Sequence, residues 1–184
     1  MDKGKLRTFN SLKEYFTLFN MTFKRMMKLR KIPHEQKISP QFREKLMVAV
    51  SSVNKCAYCS YLHTKTALEQ GISQNEIDGI LKNDIKQFSK EDLPGILFAQ
   101  HFSETKGNVS ESALNNVIQI YGETKTWQMR AFLQSVLFGN LCCNTYISFK
   151  KKLLTQDEKK HLRLVYIFSF PVARMIYNKS GISK

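Results

Sequence analysis

The sequence predicts an all-α protein, and three observations support this fold class. Apolar residues recur with the 3.6-residue period of a helix, as in the run Met129, Phe132, Leu133, Val136 and Leu137. Helix-start signals recur along the chain, because a hydroxyl residue precedes a glutamate by three positions at Ser11, Ser73 and Thr155. The strict alternation of a half-buried strand is nowhere sustained.

The punctuation between the apolar runs predicts the individual helices. Ser39 is expected to cap a helix whose first residue is Pro40, and Pro171 is expected to kink or end the last helix because it lacks a backbone donor. Glycines that would end helices stand at positions 71, 107 and 122. The predicted helices lie near residues 11–31, 40–53, 55–70, 74–82, 90–106, 111–121, 124–149 and 156–178.

The chain length fits one domain over residues 1–184, or at most two small packed halves. Of its 184 residues 42% are hydrophobic, enough for a core of ordinary size. Comparing the chain with itself at an offset of 86 residues pairs Asn54 with Asn140 and Cys56 with Cys142. This pattern is consistent with a degenerate internal repeat in which only the first copy keeps the chemically useful residues.

The positive charge is concentrated at the two ends of the chain. The net charge is +14; residues 1–45 hold 12 Lys/Arg against 4 Asp/Glu, residues 111–184 hold 11 against 4, and residues 46–110 hold 6 against 7. We interpret the ends as solvated basic surface, with contact to anionic lipid, nucleic acid or an acidic protein as the alternative. No recognised nucleic-acid-binding module is present, so we expect no specific nucleic-acid partner.

The first predicted helix carries an aromatic stripe with a basic opposite side. The stripe consists of Phe16, Phe19, Phe23, Met26 and Met27. Its helical spacing favours a role in the core or in a subunit interface, and a peripheral membrane contact is the weaker interpretation. The sequence shows no apolar run long enough to span a bilayer and no secretory signal. Its four cysteines cluster as 56/59 and 142/143 rather than as spaced staples, so we expect a reducing, cytoplasmic location.

A Cys56-x-x-Cys59-x-x-x-His63 run is the main chemical feature of the sequence. On one helix these positions share a face within an arc of about 60°. Cysteines spaced by three at a helix start can approach disulfide geometry. With Asn54 as the expected N-cap, Cys56 would lie in the first turn, where the helix dipole stabilises a thiolate. His63 can shuttle protons near neutral pH.

Glu44 lies 12 residues before Cys56 on the preceding predicted helix. A sharply angled helix pair would return its carboxylate to the cysteines. Its largely apolar neighbours would raise its pKa, so that it could hold a transferable proton.

These residues favour a redox site over two alternatives. Two thiols, an imidazole and a carboxylate could bind zinc, but structural zinc sites usually use two separated ligand pairs, and no second Cys/His pair is evident. We therefore expect no metal. Cys142 and Cys143 point about 100° apart on a predicted helix and are interpreted as core residues.

Glu44, Cys56, Cys59 and His63 are separated by 12, 3 and 4 positions. This spacing resembles the Glu-x11-Cys-x2-Cys-x3-His signature of the AhpD-like alkylhydroperoxidase and carboxymuconolactone decarboxylase family. The run from Asn54 to His63 is similar to the motif helix of that family. The resemblance covers about residues 38–150, with residues 1–37 and 151–184 as basic helical extensions.

The resemblance implies a compact helical fold that assembles into homo-oligomers, often trimers or hexamers, with a dimer as another possibility, and that needs no cofactor. It also implies a hydroperoxide substrate and a dithiol peroxidase reaction, in which Cys59 attacks, Cys56 resolves, and Glu44 and His63 relay protons. A dithiol or lipoyl-type protein would reduce the resulting disulfide. The helix-start argument instead favours Cys56 as the more acidic thiol, so the attacking sulfur stays open.

Tyr58 departs from the family pattern, because peroxidase-competent members can carry a histidine there, and a phenol is a poorer proton shuttle. Tyr58 is therefore expected to be a secondary relay or pocket residue. The competing function is a non-catalytic, oligomeric redox-sensing or protein-interaction module on the same fold. A lactone decarboxylase is disfavoured because that branch of the family does not depend on a cysteine pair.

Overall fold

The computed structural model describes residues 6–33 and 37–180. Over these residues it contains seven α-helices, one 3₁₀ helix at Ile85–Gln87 and no strand, which confirms the all-α prediction. The α-helices are α1 (Leu12–Leu29), α2 (Pro40–Val53), α3 (Ala57–Glu69), α4 (Gln74–Lys82), α5 (Leu93–Glu104), α6 (Glu111–Lys150) and α7 (Gln156–Ser180).

Several helix starts form as their side chains predict. Ser39 caps α2 by accepting a hydrogen bond from the backbone amide of Phe42, and Pro40 is the first helical residue. Ser73 and Glu76 satisfy each other's backbone amides at the start of α4. The same reciprocal pair of bonds joins Thr155 and Glu158 before α7.

α6 is broken at Gly122, as the sequence predicts. Gly122 has φ 76° and ψ 164°, a conformation that only glycine adopts easily, so the helical chain changes direction between its two parts. α7, in contrast, does not end at Pro171 but continues to Ser180. Pro171 is exposed, while the face bearing Ser169 and Ala173 is buried, so packing on both sides of the proline holds the helix together.

The second part of α6 lies at the centre of the molecule. Its side chains Met129, Leu133, Leu137 and Leu141 have no exposed surface, and α1, α2, α5 and α7 all pack against this helix. α2 contributes Leu46, Val48, Ala49 and Val50 to the same core. α3 packs against both α2 and α7. These two contacts position the cysteine motif, which lies at the start of α3.

The aromatic stripe of α1 only partly faces the core. Tyr15, Leu18 and Leu29 are buried. The other large side chains have exposed fractions of 40–59%: Phe16, Phe19, Phe23 and Met27. The expectation of a core role is therefore wrong for those four residues. A subunit interface and, as the weaker alternative, a peripheral membrane contact both stay predictions.

None of the helices within residues 6–33 and 37–180 combines the length and the apolar character that crossing a membrane requires.

Candidate functional site

The turn between α2 and α3 determines where the first cysteine lies. Asn54 is the C-cap of α2, and Lys55 adopts a left-handed conformation with φ 54°. The backbone amide of Lys55 donates to the carbonyl of Ser52, and that of Cys56 donates to the carbonyl of Ser51, as in a Schellman motif. The prediction that Asn54 caps α3 is therefore wrong, because the residue ends the preceding helix instead.

Cys56 is consequently the N-cap of α3 rather than a residue of its first turn. Cys56 nevertheless lies on the same side as Cys59, because their sulfurs are at bonding distance. His63 follows Cys59 by one turn on α3, a spacing that predicts a shared helix face. Both sulfurs lie at the positive end of the helix dipole, since Cys59 is the third helical residue. The dipole therefore does not favour Cys56 over Cys59.

The two cysteines of the motif are joined as a disulfide pair. Their sulfur atoms lie at bonding distance and their Cα atoms are 5.3 Å apart, within the range that disulfides use. Both side chains are buried, with exposed fractions of 0% for Cys56 and 2% for Cys59. The spacing thus produces the pairing that a redox dithiol requires.

A third cysteine joins this pair from α6. The sulfurs of Cys56, Cys59 and Cys143 all lie within 4.8 Å of one another. Cys142, its neighbour in sequence, belongs instead to the main core. Both residues are buried as predicted, but the sequence did not indicate that Cys143 faces the motif, because helical periodicity alone cannot tell which buried face meets which partner.

Burial controls the protonation of the α6 thiols. Loss of hydration raises the pKa of the Cys143 thiol to about 12. Burial likewise raises the pKa of the Cys142 thiol to about 12, opposed in part by a hydrogen bond with Ser169. Both thiols are therefore neutral at physiological pH.

Glu44 and His63 form a second pair, and His63 follows Cys59 by one turn of α3. The carboxylate Oε2 of Glu44 lies 3.0 Å from Nδ1 of His63, which connects α2 to α3. Glu44 Oε1 accepts a hydrogen bond of 3.2 Å from Nε of Arg43, whose guanidinium also lies over the ring of Phe132. Glu44 is buried and does not point into solvent. Arg43 was missed at the sequence level, although it directly precedes Glu44.

Apolar side chains cover the sulfur cluster. Tyr58, Ile147 and Ile176 pack against the three cysteines. The ring of Tyr58 meets that of Tyr177 edge to face at 5.3 Å, so α7 reaches over the motif helix. Tyr58 and Ile147 also line a pocket of about 350 Å³, together with Lys55 and Lys151. No described cysteine lines this pocket, and Tyr58 and Ile147 lie between it and the sulfur cluster against which they pack.

The fold and the site together define an all-α protein with a buried cysteine pair and an adjoining carboxylate–imidazole pair. Residues 18–85 match the family model of the carboxymuconolactone decarboxylase family, the family that includes the AhpD-like proteins. The matched segment extends from within α1 to the start of the 3₁₀ helix and contains Glu44, Cys56, Cys59 and His63. The matched segment begins and ends earlier in the chain than residues 38–150, the range that resembles the family by its motif. Comparisons with curated proteins and with solved structures gave no match.

Proposed function

We propose that this protein is a thiol-dependent peroxidase that reduces hydroperoxides through the Cys56–Cys59 dithiol. The observation that carries the proposal is the placement of a disulfide-forming pair one helical turn from an imidazole that is itself paired with a buried carboxylate. A purely structural disulfide would need neither His63 nor Glu44.

The reaction begins from the reduced pair. The thiolate of Cys59 attacks the distal oxygen of a hydroperoxide, the O–O bond breaks, and an alcohol leaves as Cys59 becomes a sulfenic acid. The thiol of Cys56 then displaces water from that sulfenic acid and the disulfide forms. An external dithiol returns two electrons and two protons and is itself oxidised to a disulfide.

His63 and Glu44 have separate roles in this scheme. His63, one turn after Cys59, takes the thiol proton and returns a proton to the leaving alkoxide. Glu44 acts through His63, because its carboxylate accepts from Nδ1 and leaves Nε2 as the nitrogen that exchanges protons. Arg43 orients Glu44 from the other side.

Cys59 is assigned as the attacking sulfur because it shares a helix face with His63. Cys56 lies at the N-cap, just before the helix, and its sulfur is at bonding distance from that of Cys59. This assignment agrees with the role that the family resemblance implies.

The decisive experiment measures peroxide consumption by single-cysteine variants. Wild-type protein is expected to reduce cumene hydroperoxide with dihydrolipoamide as the reductant, and Cys59→Ser and Cys56→Ser are each expected to abolish turnover. Cys142→Ala is the matched control, because this cysteine is buried on another face of α6 and should retain activity. In Cys56→Ser, dimedone should trap a sulfenic acid on Cys59. Normal turnover in both serine variants would refute the proposal.

The burial of both sulfurs favours one competing function, a redox-responsive module without turnover. In that case the Cys56–Cys59 disulfide would form and open reversibly, as mass spectrometry would show, while peroxide consumption stayed at the rate of the buffer. The same assay thus separates the two functions.

A further inference from the structure

The cluster of three sulfurs goes beyond what a dithiol reaction needs. A peroxidase cycle uses two cysteines, yet Cys143 is held within 4.8 Å of both sulfurs of the motif. It comes from a different helix whose position is fixed by the central core. Its neighbour Cys142 shows that a buried cysteine on this helix need not face the motif.

The distances suit a shared cation better than a disulfide exchange. A disulfide requires sulfurs at about 2.05 Å, so Cys143 would have to approach either partner by up to about half of the present separation. A cation with metal–sulfur bonds of about 2.3 Å at the centre of three sulfurs places them about 4 Å apart. Opening the Cys56–Cys59 bond on reduction therefore brings the three sulfurs toward this triangle without requiring α6 to move.

The surroundings favour a soft cation of low coordination number. Tyr58, Ile147 and Ile176 cover the cluster, so water is largely excluded. Within the described residues the cluster of potential metal ligands at this position contains three sulfurs and no oxygen or nitrogen ligand. Thiolate-only sites select Cu(I), whereas zinc is almost always tetrahedral in structural sites and would need a fourth ligand here.

We propose that the reduced protein binds one Cu(I)-type cation through Cys56, Cys59 and Cys143. Each coordinating thiol releases its proton to solvent, three metal–sulfur bonds form, and the cation is neither oxidised nor reduced. Two basic residues line the neighbouring pocket on this side of the molecule: Lys55, which directly precedes Cys56 in the chain, and Lys151, which directly follows α6. Oxidation of the pair to the disulfide removes two of the three ligands, so the cation is held only in the reduced state.

The test is an anaerobic titration of the reduced protein with Cu(I) against a coloured Cu(I) chelator, with stoichiometry read by native mass spectrometry. Wild-type protein should bind one equivalent. Cys143→Ala should bind at least about 100-fold more weakly, since losing even an outer-sphere partner typically costs 10- to 100-fold. Cys142→Ala should bind as wild type does, and circular dichroism should show that both variants are folded.

A second measurement needs no substitution. Wild-type protein carrying the Cys56–Cys59 disulfide should bind no Cu(I) at this site, and reduction should restore one equivalent. Equal affinity in Cys143→Ala and Cys142→Ala would overturn the proposal, as would tight binding by the oxidised protein or the lack of a bound equivalent in the reduced one. These outcomes are independent of peroxide turnover, so failure here leaves the proposed peroxidase function to be judged by its own assay.

Discussion

Glu44 is a buried carboxylate held between the guanidinium of Arg43 and the imidazole of His63. Arg43 contacts one carboxylate oxygen and His63 the other, so both oxygens are in use. A buried carboxylate is stabilised only when its lone pairs are satisfied, and this arrangement does so across two helices. The consequence is a fixed orientation of the His63 ring relative to α3.

Replacement of Glu44 by glutamine tests this orienting role. Glu44→Gln keeps the shape but removes the charge that selects the His63 tautomer, and we expect peroxide turnover to fall by about 100-fold. A pH–rate profile should change shape on its acid limb, whereas a merely structural role would lower the rate equally at every pH. Glu69→Gln, at the exposed end of α3, serves as the control and should leave both rate and profile intact.

The sequence reveals the residues of the cysteine motif but not all the side chains that surround them. Glu44, Cys56, Cys59 and His63 could be selected because their spacing carries chemical meaning. Cys143 and Arg43 could not, because their importance comes from long-range packing and side-chain direction. The error at Asn54 has a related cause: the left-handed position that ends α2 is occupied by Lys55, and only glycine or asparagine would have signalled it.

At the scale of elements, the turn between α2 and α3 combines a required geometry with an unfavourable residue. Lys55 has a positive φ, which costs a residue with a side chain roughly 1–2 kcal/mol compared with glycine. The turn nevertheless determines where Cys56 lies relative to Cys59.

Glycine at this position should therefore stabilise the protein. We expect Lys55→Gly to raise the free energy of unfolding by about 1 kcal/mol, measured by urea denaturation. Lys65→Gly, an exposed site in the middle of α3, is the matched control and should lower it by about 1 kcal/mol. A destabilising effect of Lys55→Gly would show that this lysine has a stabilising contact that outweighs its backbone strain.

A second connection between elements centres on Lys45 of α2. Its ammonium lies 2.7 Å from carboxylate oxygens of both Glu76 in α4 and Asp92 at the start of α5. The Lys45 side chain is 12% exposed, so this is a largely desolvated contact that joins three helices. The hydrogen bond from Lys45 is the main reason that the pKa of Glu76 is lowered.

This contact predicts how stability depends on acid. Because the pKa of Glu76 is lower in the folded state, its stabilisation is present at neutral pH and is lost as the pH falls through the folded value. Lys45→Met should lower the free energy of unfolding by about 1 kcal/mol at neutral pH, because solvent screens the partly exposed Glu76 carboxylate, and by less near pH 3. Lys82→Met removes an exposed pair with Asp78 and should leave the free energy of unfolding nearly unchanged, because water screens that pair. Urea titrations at both pH values measure the difference.

At the scale of the whole molecule, the sequence predicts the helical class and most helices, but not how the helices pack. Period and capping identified α2, α4 and the break at Gly122 closely, because those signals are local. The continuation of α7 past Pro171 and the exposure of Phe23 depend on which neighbours surround each helix. Both features become clear only from the way α1 and α7 pack against α6.

α1 and α7 present an apolar face that residues 6–33 and 37–180 leave partly exposed. Phe16 of α1 meets Phe168 of α7 at 5.3 Å, and both remain partly exposed. Exposed aromatic patches of this kind often mark interfaces between subunits. The face fits the homo-oligomer that the family resemblance implies.

Phe23 lies on this face and has the largest exposed fraction among its aromatic residues on α1. We expect Phe23→Glu to reduce the native mass seen by analytical ultracentrifugation, because a charge cannot be buried there without a partner. Lys24→Glu, the exposed neighbour in sequence, should leave the mass unchanged. If both variants sediment as wild type does, the face is not a subunit contact.

The roof formed by Ile176 and Tyr177 limits what can reach the dithiol. Both sulfurs are at most 2% exposed, so a donor can reach Cys59 only after a covering side chain such as Tyr58 or Ile176 moves. We expect a narrow, extended dithiol to need a smaller displacement than a cysteine on the rigid surface of another protein. The rate of reduction should therefore depend on α7, a helix that lies far from the cysteine motif in the chain.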